Sequence, residues 1–188
     1  MHRSYVLLFA AIAAAVLGGS NPANGAVVSA TDSGFEVLEN VSVSAPPKEA
    51  YARLLNVGAW WNKEHTLSGD AANLSLDARP GGCFCERLRD GGGVQHLSVV
   101  YVAPNQTLRL TGGLGPLQAL GVAGSMTITL TPSGDTTTIS LRYRVGGYTS
   151  DGISKWAVPV DGVLGEQLGR LKRLIDTGRP DPIAPVQK

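Results

Sequence analysis

Residues Val160–Ile175 read VDGVLGEQLGRLKRLI. Val160, Leu164, Leu168, Leu171 and Ile175 recur at i, i+4, i+8, i+11 and i+15, which draws one apolar stripe along an α-helix. Pro159 starts or kinks this helix, and Gly178 with Pro180 stops it. Gly162, Gly165 and Gly169 fall opposite the stripe. Each costs about 1 kcal/mol relative to alanine in a helix interior. The glycine stripe therefore reads either as close packing on a second side or as surface drift.

A long helix with one apolar stripe needs an apolar sheet face to bury it, and the upstream chain supplies one. Phe35, Val37, Val41 and Val43 alternate with Glu36, Asn40 and Ser42, the period of a half-buried strand. Ser44-Ala45-Pro46-Pro47 opens a helix carrying Ala50, Tyr51, Leu54 and Leu55, and a second short helix or turn at 57–62 carries Trp60-Trp61. Strands follow at Leu74–Leu76, Cys83–Arg89, Val94–Val102, Thr107–Thr111, Met126–Leu130 and Ile139–Val145. Asp90-Gly91-Gly92-Gly93 and Pro132-Ser133-Gly134-Asp135 mark hairpin turns. The segment Gly112–Leu120, GGLGPLQAL, reads as a lid-like loop. The expected fold is α+β: a curved antiparallel sheet of about seven strands, in the order β-α-α-β6-α, around the C-terminal helix. Such a sheet leaves a cavity between itself and the helix.

The N-terminus reads as an export signal. Met1-His2-Arg3 precedes the unbroken apolar run Val6–Leu17, VLLFAAIAAAVL, which is shorter than the roughly 20 residues of a membrane-spanning helix. Ala23-Asn24-Gly25 before Ala26 offers a cleavage site. Absence of a nearby cysteine argues against a lipid anchor, and absence of a twin arginine points to the general secretory route. The expected organisation is a signal peptide at 1–25, a flexible lead-in at 26–34, the domain at 35–177 and a disordered tail at 178–188. The expected location is periplasmic or secreted, with no stable membrane anchoring after cleavage. Sixteen Lys and Arg face fifteen Asp and Glu, and the signal removes only Arg3, so the mature charge is near zero. That excludes the basic footprint of a nucleic-acid binder.

Ala45-Pro46-Pro47, Trp60-Trp61 and Gly81-Gly82-Cys83-Phe84, in this element order, resemble the SRPBCC superfamily of helix-grip proteins. That group includes START lipid-transfer domains, polyketide cyclases and activators of heat-shock-protein ATPase. The resemblance covers roughly Phe35 to Thr177. It implies a ligand cavity but leaves carrier, enzyme and binding module open, because one fold hosts many functions. An export signal departs from the cytosolic chaperone-activator branch.

Several residues are candidates for chemistry. Cys83 and Cys85 share one strand face, with Cα atoms about 6.6 Å apart in a regular strand. A disulfide reaches about 6.8 Å at most, so a bridge between them calls for a bulge. The pair reads as two small buried residues, as a redox pair, or as metal ligands together with His65 or His96. Glu86 shares the Phe84 side of the strand and is a candidate acid or ligand anchor, with His65 or His96 as its acid–base partner. Trp60, Trp61, Tyr101, Leu114, Leu117, Met126, Tyr143 and Trp156 are expected to line the cavity. Gly113 and Gly115 are followed by Gln118 rather than a third glycine, so the loop lacks a dinucleotide fingerprint. No cofactor motif is found and no metal is expected. The expected partner is a small hydrophobic or amphipathic molecule. The expected role is an exported carrier, with a Glu/His cyclase or hydrolase and a Cys-x-Cys metal or redox module as alternatives.

Overall fold

The computed structural model describes residues 26–182. The expected signal segment and the last residues of the expected tail lie outside the described residues.

The elements are β1 (Ala26–Thr31), β2 (Gly34–Val43), α1 (Pro47–Leu55), β3 (Leu74–Leu76), β4 (Cys83–Arg87), β5 (Gly93–Ala103), β6 (Thr107–Thr111), β7 (Gly121–Ser133), β8 (Thr136–Tyr148) and α2 (Ala157–Thr177). Short 3-10 turns fill 57–59, 63–65, 71–73, 115–119 and 154–156. All eight strands form one antiparallel sheet in the order β1-β2-β8-β7-β6-β5-β4-β3. The additional strand is β1, which the sequence reading takes as lead-in. Its side chains are mostly exposed, so it carries no alternating pattern, and it is held by backbone pairing with β2 that any residue can make.

The inward faces alternate as their sequences require. Phe35, Val37, Val41 and Val43 of β2, Ile139, Leu141, Tyr143 and Val145 of β8, and Met126, Ile128 and Leu130 of β7 form a continuous apolar floor. On it lies α2, which buries Leu164, Leu168, Leu171 and Leu174 and packs against β2 and α1. Val160 and Ile175, at the ends of the expected stripe, are half-buried. Gly178 closes α2 in the left-handed region at φ 77°, its N–H bonding the Leu174 carbonyl at 3.0 Å. Residues 178–182 then turn back on the helix: Arg173 Nε donates to the Pro180 carbonyl at 2.7 Å, and Arg170 pairs with Asp181 at 2.5 Å.

One inward residue of β2 is polar. Glu39 is 1% exposed beneath α2. A Cβ on Gly165 would lie 3.2 Å from its carboxylate, so this glycine makes room for the glutamate. Gly162 meets nothing within 4 Å, and Gly169 only the tip of Arg173 at 3.6 Å. Close packing on the second side of α2 thus holds for Gly165 alone.

Two irregularities shape β5. Phe84 pairs with Leu97 and Cys85 with Gln95, so His96 is an extra residue without a partner on β4. Val100 is a second extra residue, between the pairs Val99–Leu110 and Tyr101–Arg109. A bulge re-aims the side chains around it. Here it turns both His96 and Leu97 inward, which strict alternation forbids.

Candidate functional site

Beyond the apolar floor, toward β3, β4 and β5, the sheet and α2 diverge. Between them lies a cavity of about 370 Å3, within the range of small-molecule sites. Trp61 and Phe84 wall one side, Val160 and Val163 of α2 another, and Leu114 and Leu117 of the 112–120 loop a third. Tyr143 fixes that loop from below, donating its hydroxyl to the Gly112 carbonyl at 2.7 Å and accepting from the Leu114 N–H at 2.9 Å. Burial pushes the Tyr143 phenol up to about 12, so it remains a neutral donor. Gly124 permits this arrangement, since a Cβ there would come within 2.6 Å of the Tyr143 ring.

The polar lining of the cavity comes from Glu64, His65 and Thr66 of the 61–68 loop and from His96 of β5, which Glu86 of β4 holds. Glu86, 2% exposed, accepts from the Leu67 N–H at 3.1 Å and the Ser68 N–H at 2.5 Å. Its Oε2 also meets His96 Nε2 at 2.9 Å. Burial alone raises the carboxyl, but hydrogen bonds from Ser68, Leu67 and His96 outweigh it and hold Glu86 below the ordinary glutamate range. An ionised Glu86 requires the hydrogen on His96 Nε2, and in the neutral form of the ring the lone pair then lies on Nδ1. Among the described residues Nδ1 has no hydrogen-bond partner, although it is buried. The ring packs on Phe84 at 5.1 Å between centroids. A carboxylate that orients a histidine while its other nitrogen stays unpartnered can bind a donor or take up a proton.

The bulge also accounts for the cysteines. Cys83 and Cys85 point to the outer face and are joined by a disulfide, with Cα atoms 5.4 Å apart where the strand runs opposite the extra residue His96. Both thiols are thereby consumed, which corrects their reading as metal ligands and as unbridged core residues. Among the described residues no group of three metal-binding side chains occurs.

His65 does not join the dyad. It sits at the cavity rim, where Nε2 meets Glu166 Oε2 of α2 at 3.1 Å. Glu166 also accepts from Asn62 Nδ2 at 2.6 Å, while Asn62 N donates to Gln167 Oε1 at 2.7 Å. The 61–68 loop is thus tied to α2 on one side and to Glu86 on the other. Of the expected lining residues, Trp61, Leu114, Leu117 and Trp156 border the cavity. Trp60 and Met126 border a smaller void deeper in the core. Tyr143 lies beneath the loop rather than in the wall. Tyr101 is corrected outright: it is 47% exposed, 5.3 Å from the Arg109 guanidinium, and lines neither space. The second bulge of β5 displaces it from the inward series.

Gln167, like Glu39, is an inward residue that periodicity reasoning passes over. It is 1% exposed on α2. A polar residue three positions after Leu164 and four before Leu171 lies within the apolar stripe, and that position is the signal that marks it.

Neither a scan against family models nor a search of curated proteins finds a match. Solved structures do match in fold. A conserved protein of unknown function from Enterococcus faecalis aligns at 12% identity and TM-score 0.56, over 88% of this chain and 83% of its own. CalU16 from Micromonospora echinospora aligns at 16% identity and TM-score 0.51, over 79% of this chain and 78% of its own. The Aha1 dimer from Colwellia psychrerythraea aligns at 16% identity and TM-score 0.52, over 76% of this chain and 97% of its own. At these identities the likeness shows a helix-grip fold and nothing finer.

Proposed function

We propose that this protein is an exported carrier that holds one small amphipathic molecule between its sheet and α2. The observation that carries this reading is the cavity of about 370 Å3, mostly apolar in its walls, with Glu64, His65 and Thr66 among its lining and the buried His96, held by Glu86, also in it. Apolar walls supply affinity by removing ligand surface from water, at about 25 cal/mol per Å2. The lone pair on His96 Nδ1 supplies orientation, because it accepts a hydrogen bond from a ligand hydroxyl or N–H. The apolar run at Val6–Leu17 and the disulfide both suit an oxidising compartment outside the cytoplasm.

Incubation of the protein with a lipid extract, followed by native mass spectrometry, tests this. A single bound species recovered with unchanged mass is the expected result, and Val163→Trp, which fills the cavity, abolishes it. Recovery of no bound species sinks the carrier reading. A second reading follows from the unpartnered His96 Nδ1, which Glu86 orients as a general base. Under that reading the recovered species differs in mass from the one supplied, and His96→Phe restores the original mass.

A further inference from the structure

A second, smaller space lies deeper in the core. It measures about 40 Å3 and is bounded almost wholly by apolar side chains, among them Leu110, Met126 and Ile128. Trp61, Phe84 and Leu164 border both this chamber and the outer cavity, so the partition between them is made of the same three side chains. One polar residue lines the inner chamber: Gln167. Its amide orientation follows from its neighbours, because Asn62 N donates to Oε1 at 2.7 Å and only an oxygen can accept there. That leaves Nε2 buried, and among the described residues it has no hydrogen-bond partner. Water is a poor occupant. The space admits one, but a buried water needs two to four polar partners, and Gln167 is the one polar residue among the lining. A buried glutamine N–H without a partner costs free energy, and a ligand oxygen that reaches it recovers that cost.

We infer that Gln167 Nε2 is the recognition group of a deep subsite that takes a carbonyl oxygen of the bound molecule, reached when Trp61, Phe84 and Leu164 part. The inference rests on the carrier reading and extends it to a ligand class. The molecule carries a hydrogen-bond donor at one end for His96 Nδ1 and a carbonyl at the other for Gln167, with an apolar body between. The two buried unpartnered atoms are complementary to such a molecule, one accepting and one donating.

Matched probes test it. A short series of para-alkylphenols is compared by calorimetry with ketones of the same length, para-butylphenol against para-hydroxybenzylacetone among them, with the Gln167 side-chain amide followed by NMR. The expected result is that one ketone of the series binds about tenfold more tightly than its alkylphenol, the value of one hydrogen bond. The Gln167 amide protons move downfield with that ketone alone. Gln167→Met removes the advantage, read as the ratio of ketone to alkylphenol affinity within the variant. Met126→Phe, which fills the inner chamber without touching the Gln167–Asn62 contact, removes it too. Alkylphenols and ketones that bind equally, with an unmoved Gln167 amide, overturn the deep subsite and leave the outer cavity standing. Failure of every probe to bind overturns both.

Discussion

Two glutamates lie on the inner face of this sheet, Glu86 near one edge and Glu39 near the other, and they are held in opposite states. Glu86 is surrounded by donors: two backbone N–H groups and His96. It is held below the ordinary range and carries its charge. Glu39 is surrounded by apolar side chains and faces Asp161 of α2. Burial comes first, then a side-chain hydrogen bond with Asp161 and the charge on that residue, and together they push Glu39 up to about 8. Among the described residues, Glu39 Oε2 and Asp161 Oδ1 are both buried without a donor, and one proton shared between them satisfies both. The difference is set by the neighbouring backbone rather than by burial, which is almost equal at 1% and 2% exposed. At the cavity a loop turns its amides inward, while under α2 the helix offers only a second acid.

The largest expected effect comes from breaking the donor-rich side. Glu86→Ala leaves His96 Nε2 and the Leu67 and Ser68 amides unpartnered. Urea denaturation should therefore report a loss of about 3–5 kcal/mol. A loss below ~1 kcal/mol would mean that the 61–68 loop re-solvates freely.

The next effect distinguishes the two acids by pH. A raised folded-state value means that stability is complete below the unfolded value of 4.5 and is lost as pH rises through about 8. Glu86 has the opposite sign: its contribution is present above the unfolded value and is lost as pH falls through its lowered one. Wild-type protein should thus weaken between pH 5 and pH 9 by on the order of a few kcal/mol, and Glu39→Gln should flatten that limb. An unchanged slope in Glu39→Gln would remove Glu39 as its source.

Smaller effects sharpen the geometry. The Cys83–Cys85 bridge spans a sequence separation of 2, so the chain-entropy relation gives a loss of only about 1–2 kcal/mol for Cys83→Ser with Cys85→Ser. The informative readout is the His96 ring in NMR spectra. The ring should move if the disulfide helps to hold the bulge opposite it, and remain unchanged if the bulge is set by packing alone. Smallest is the glycine pair on α2. Gly162→Ala enters open space and should stabilise by up to about 1 kcal/mol through helix propensity. Gly165→Ala meets the Glu39 carboxylate, so its gain should vanish.

Much of the architecture is legible in the sequence, because burial imposes periods of two and 3.6 that composition records directly. The stripe Leu164, Leu168 and Leu171, the Val37–Val43 alternation and the turn at Ser133–Asp135 all fall where the structure has them. Strand β1 does not show, since backbone pairing leaves no mark on exposed side chains. The site was half readable. Glu86 follows from its spacing with Phe84, and His96 lies across the hairpin from it. Their contact depends on a residue inserted into β5 that changes which face His96 occupies.

The chain by itself determined the two-layer arrangement, one long amphipathic helix against alternating strands, together with a near-neutral charge balance and an unbroken apolar run at Val6–Leu17. Tertiary structure alone decided that Cys83 and Cys85 join, that His65 belongs to Glu166 and His96 to Glu86, and that Glu39 meets Asp161. It also decided that Gln167 is buried beside the inner chamber, with its amide nitrogen unpartnered among the described residues. The reason is physical. Periodicity reports which face a residue occupies, whereas pairing between elements depends on register, and a single bulge changes that register without altering the apolar pattern on either side.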